Sequence, residues 1–97
     1  MKHAGAGTLR QLEPLLRRLR SIPTLVERKP GIFYLRSSAF LHFHEDPAGV
    51  FADIKLNGGS FERVALHSEK DYASLFKRAA AAAVRVSERA RPNEAPT

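Results

Sequence analysis

Residues 39–56, AFLHFHEDPAGVFADIKL, alternate apolar and polar side chains on either side of Asp46-Pro47-Ala48-Gly49. Alternation with a period of two is the mark of a β-strand with one covered face, and Asp, Pro and Gly together are turn chemistry. The stretch therefore predicts an antiparallel hairpin. If Asp46 meets Gly49, then Glu45 faces Val50, His44 faces Phe51, Phe43 faces Ala52, His42 faces Asp53 and Leu41 faces Ile54. A three-residue loop with Gly49 in a bulge would shift the pairing by one and change every partner.

In the first register one face carries Leu41, Phe43, Val50, Ala52, Ile54 and Leu56, which is core composition. The other carries Phe40, His42, His44, Phe51, Asp53 and Lys55, to which neighbouring strands add Phe33, Leu35, Val64 and Leu66. Apolar residues on both faces of an antiparallel sheet imply that both are covered, either by two helices on one face and a partner on the other or by one helix on each. The second face, with Phe40, His42, His44, Phe51 and Asp53 at its centre, is the expected surface for a partner, a small ligand or a second copy of the chain.

Outward from the hairpin, Ile32–Arg36 and Phe61–Leu66 also read as strands, joined by Ser37-Ser38 and by Asn57-Gly58-Gly59-Ser60. Connections this short join antiparallel neighbours, so the four runs predict a meander. Before them, Leu9, Leu12, Leu15, Leu16, Leu19 and Ile22 recur at helical spacing. Thr8 to Gln11 fits a capping box. Pro14 either kinks this helix or marks its true start, with Glu13 before it. Residues 24–31 read as a loop ending in a Pro30-Gly31 turn. After the strands, Ser68 is a candidate N-cap for a helix whose stripe runs through Tyr72, Leu75, Phe76, Ala79, Ala83 and Val86 and stops before Pro92.

The reading is thus one α+β domain over residues 8–91, in the order α-β-β-β-β-α. Two helices accompany a four-stranded antiparallel sheet, with flexible termini at 1–7 and 92–97. A chain of 97 residues supports a single core, and 43% hydrophobic against 27% charged residues is a globular balance. Cysteine is absent, which removes disulfides, thiolate metal sites and cysteine nucleophiles. No apolar run approaches the ~20 residues that span a bilayer, and the N-terminus lacks a signal-like apolar core. The expectation is a cytoplasmic protein without membrane attachment.

The net charge of +6 is uneven. Seven Lys/Arg against two Glu fall in residues 1–30, whereas the strand region is slightly acidic. Arg10, Arg17, Arg18, Arg20 and Lys29 would therefore carry a nucleic-acid role, the alternative to a solvated and solubilising helix face. A third reading places an enzyme or metal site on His42, His44 and Asp53, with His67 at a strand end. Two histidines about 6.6 Å apart along a strand can share an ion. No further ligand stands at a recognisable spacing, so no metal or cofactor is expected. Nor is a nucleophile identifiable, because Ser37, Ser38 and Ser60 occupy turns.

Ile22-Pro23 followed by Glu27, then Phe33, Phe40 and the Ala52-Asp53-Ile54-Lys55-Leu56 strand, resemble the small bacterial MmcQ/YjbR-like proteins over roughly residues 9–80. Thr24 stands where that family tends to have Gly, and the family's further helical region is missing. The resemblance implies a compact α+β domain and, from its shape, DNA binding. It carries over no catalytic residue.

Overall fold

Pro14 divides the leucine-striped segment into two helices. In the computed structural model, which describes residues 2–57 and 59–90 and the side chains as far as Arg85, α1 spans Ala6–Gln11 and α2 spans Glu13–Arg20. Pro14 lies in the first turn of α2, where its missing N–H would have had no partner in any case. Neither expectation for Pro14 holds as stated: α2 does start beside it, but the segment before it is helical too, so the break at Leu12 separates two helices. The Thr8–Gln11 capping box does not form, because the helix starts three residues earlier, with Gly5 and not Thr8 as N-cap. Thr8 instead bonds to Glu45.

Among the described residues six strands follow one antiparallel pattern: β1 (Lys2–His3), β2 (Leu25–Lys29), β3 (Ile32–Leu35), β4 (Ser38–Asp46), β5 (Gly49–Ile54) and β6 (Glu62–Ala65). The spatial order β2-β3-β4-β5-β6 is the expected meander with one strand more, and β1 pairs with β4. The four-strand count is thus corrected to six. β2 was expected as loop because Glu27, Arg28 and Lys29 interrupt any apolar alternation; as an edge strand it needs only Leu25 inside. Charged residues along such an edge also discourage further pairing. Lys2 and His3, in the terminus expected to be flexible, form β1: β4 has nine residues and β3 four, so the far end of β4 has a free edge that they occupy.

The β4–β5 register is the first of the two alternatives, from Leu41↔Ile54 to Asp46↔Gly49. Asp46 Oδ1 accepts the Ala48 N–H at 2.7 Å, and Gly49 takes φ 135°, a value only glycine holds without strain. Between β3 and β4 the register slips, from Phe33↔Leu41 to Tyr34↔Ala39. This bulge at Phe40 turns two successive side chains, Phe40 and Leu41, to the same side, and they are 2% and 0% exposed. Phe40 is therefore core and not part of the second face.

The same correction applies to Phe33 and Leu35, both in the core, and to Leu66 and Val64, one in it and one packed against it. The second face is consequently far less oily than its sequence suggested. A single cluster joins Leu12 at the α1–α2 junction, Leu15, Leu16 and Leu19 of α2, and Leu75, Ala79, Ala82 and Ala83 of α3 (Glu69–Ala90) to one face of the sheet. Alanine at these positions lets α3 lie close to its neighbours. Leu9 of α1 reaches the same core beside Gly31, where φ is +77° and a Cβ would sit 2.7 Å from a Leu9 methyl. Ser68 caps α3, its Oγ accepting the Asp71 N–H while Asp71 accepts the His67 N–H. Val86 and residues 91–97 lie outside the described side chains and residues, with the calls made for them. Among the described residues no helix is long and apolar enough to cross a membrane.

Candidate functional site

Both major helices cover one face, so the other presents whatever alternates with the core residues. On β4 these are His42 and His44, between Leu41, Phe43 and Glu45. Opposite His44 on its two sides stand Phe51 of β5 and His3 of β1. Opposite His42 is Asp53, and opposite Asp53 is Arg63 of β6. Cross-strand partners share a face, and the result is a patch of three imidazoles, a carboxylate and a guanidinium.

Asp53 is 6% exposed, the one buried ionisable residue among those described. Arg63 grips it with two bonds, Nε–H to Oδ1 at 2.8 Å and Nη2–H to Oδ2 at 2.9 Å. The Arg63 hydrogen bonds outweigh burial and hold the Asp53 carboxyl below its usual range. His44 Nδ1 lies 3.0 Å from Asp53 Oδ2 and 3.3 Å from Arg63 Nη2. The closer, anionic partner favours a proton on Nδ1, which leaves Nε2 with its lone pair.

Histidine 42 differs from its neighbour. The register places it directly opposite Asp53, yet the carboxylate is occupied by Arg63 and by His44 on the diagonal. Its Nδ1 is buried without a hydrogen-bond partner. The Phe61 ring stands edge-on to it at 4.7 Å between centroids, with Lys55 Nζ 5.0 Å from the Phe61 centroid. Desolvation pushes both His42 and His44 below the ordinary imidazole value, and for His44 this exceeds the opposing pull of Asp53.

The three rings crowd together, His3–His44 at 4.7 Å, His42–His44 at 4.9 Å and His3–His42 at 5.7 Å between centroids. Their ligand nitrogens all lie within 4.8 Å of one another. Of the residues predicted from sequence, the fold brings together His42, His44 and Asp53. Phe51 shares their face but packs against His67, 6.3 Å away, and His67 is not in the cluster. Phe40 is on the far side. His3, Arg63 and Phe61 were missed, although β4 outrunning β3 was a signal that some segment must pair beside His44.

The basic residues of the nucleic-acid alternative are mostly engaged. Arg20 bonds Glu27 through Nε and Nη2 and Glu13 through Nη1. Arg18 pairs with Glu69 at 3.2 Å, and Arg17 lies 3.9 Å from Glu13. Of the five, Arg10 and Lys29 alone make no ion pair among the described residues. No family model, no curated protein and no solved structure matches this chain, so function has to be argued from the chemistry of its own site.

Proposed function

We propose that this protein is a binding module whose working surface is the helix-free face of the sheet, with a small ligand held at His42 and His44 beside Asp53. The observation that carries this reading is the orphaned Nδ1 of His42. A buried polar atom without a partner costs about 1–3 kcal/mol, whereas Asp53, Arg63 and His44 Nδ1 bond to one another. Such an atom is retained where something else completes it. The imidazoles around it offer lone pairs and N–H groups. Among the described residues no serine or threonine hydroxyl bonds to them, which favours binding over nucleophilic catalysis.

A thermal-shift panel on untagged protein tests this, using divalent cations, inorganic phosphate and small carboxylates, with sedimentation velocity to register a second copy as the occupant. At least one member should raise the melting temperature of the wild type and leave the H42A/H44A variant unmoved. A panel that never distinguishes the two proteins overturns the reading.

A further inference from the structure

We propose that His3, His42 and His44 bind one divalent transition-metal ion, with zinc the best fit. The site deepens the binding-module reading above and rests on it. Three imidazoles are a soft-to-borderline nitrogen set, which suits zinc and its neighbours and does not suit magnesium or calcium. Tetrahedral coordination at ~2.0–2.1 Å puts ligand nitrogens about 3.3 Å apart. The present separations, all within 4.8 Å, would have to close by about 1.5 Å at most to reach it.

The surroundings are those of a metal site as well as the ligands. A metal-bound imidazole usually donates its other N–H to a carboxylate, which fixes the ring and raises its basicity. Asp53 stands 3.0 Å from His44 Nδ1 and is itself locked by two bonds from Arg63. His42 carries the buried nitrogen that lacks a partner. His3 is placed by the sheet and not by a free terminus: β1 pairs with β4 at His3↔His44, and the Ala4 N–H donates to the Phe43 carbonyl at 3.1 Å. Arg63 balances the charge of Asp53. A bound dication would keep net charge and a fourth position open to water or an anion.

Isothermal titration of zinc into untagged, chelator-treated protein is the test. The expected result is one zinc per chain. Loss of an outer-shell partner typically weakens metal binding ~10–100-fold, so Asp53→Asn should fall in that range. His3→Ala, His42→Ala and His44→Ala should each cost more. His67→Ala, which removes a histidine outside the cluster, should leave affinity unchanged. Each variant is compared by circular dichroism, and Gln replaces Ala wherever the Ala variant loses its fold. Independently of any variant, cobalt titration should give the intense visible bands of a four-coordinate ion.

Failure of the wild type to bind zinc overturns the metal site, as does binding that survives all three cluster variants or a weak six-coordinate cobalt spectrum. Binding that needs His42 and His44 but ignores His3 overturns the three-histidine form. If zinc fails while another member of the ligand panel still depends on His42 and His44, the metal falls and the binding face stands.

Discussion

Along β4, Leu41 and Phe43 are 0% and 2% exposed, whereas His42 and His44, which alternate with them, keep partial access to solvent. One strand thus serves two purposes through the period of two in its side chains. The inward set meets leucines and alanines from α2 and α3, where volume and apolar area decide the outcome. The outward set meets His3, Asp53 and Arg63, where hydrogen-bond direction and charge decide it. The contrast teaches that folding and the binding patch draw on different atoms of the same residues' neighbours, so each can be perturbed without the other.

The sharpest way to break this comparison is a pair of substitutions at adjacent positions. Leu41→Ala opens a cavity in a fully packed site and should cost about 2–5 kcal/mol, a large share of the ~5–15 kcal/mol that stabilises a whole domain. His42→Ala removes a half-covered ring together with its unsatisfied nitrogen and should stay within about 1 kcal/mol. Urea denaturation of the two variants, read at constant m-value, decides it. Equal losses would mean that the outward face is structural after all.

A second comparison sets two arginine–carboxylate pairs side by side. Arg63–Asp53 joins β6 to β5 within the binding face, while Arg20–Glu27 ties α2 to edge strand β2, with Glu27 also accepting the Gly31 N–H at 2.8 Å. Burial pushes Glu27 up, but the Arg20 and Gly31 bonds prevail and hold its carboxyl below the usual range. Glu27→Gln should cost about 1–2 kcal/mol at pH 7, the scale of charge-assisted bonds at a half-buried site. The sign of its pH dependence follows. Unfolded chains protonate Glu near pH ~4.3, the folded carboxyl only at lower pH. The stability supplied by Glu27 is therefore complete above that value and lost as pH falls through the folded one. The gap between wild type and Glu27→Gln should narrow below about pH 4 in acid titrations of the urea midpoint, while zinc affinity at pH 7 stays unchanged.

How far the molecule was legible follows the range of the interactions. The β4–β5 hairpin was readable down to its pairs, because Asp46-Pro47-Ala48-Gly49 and the alternation on either side are local. The helix stripes were readable for the same reason. Phe40 was not, since only the mismatch between β3 and β4 creates the bulge that turns it inward. Arg63 was out of reach because residues 55–61 separate it from β5, and no local rule sets a register across such a connection. His3 sits in a Gly- and Ala-rich segment with no pattern of its own. It becomes a site residue only through a strand pairing more than 40 positions away.

The smallest expected effect lies at the opposite end of β4 from His44, in the two-residue turn that joins it to β3. Arg36 and Ser37 both take positive φ, 53° and 73°, in the hairpin closed by Leu35↔Ser38. Turns of this kind match the twist of the strands but favour Asn-Gly at these positions. A non-glycine residue in the left-handed region costs about 1–2 kcal/mol. Glycine returns part of that gain through the greater freedom of its unfolded chain, about 0.4–1 kcal/mol. Ser37→Gly should therefore stabilise the protein by roughly 0.5–1 kcal/mol, and Arg36→Asn should add a smaller increment because Asn tolerates this region without glycine's entropy. Urea denaturation measures the gain, and zinc titration of the same variant separates the two functions of the strand. A stabilised hairpin with unaltered metal affinity would show that the folding half of β4 can be strengthened independently, whereas a changed affinity would mean that the turn and the histidines are mechanically coupled through the bulge at Phe40.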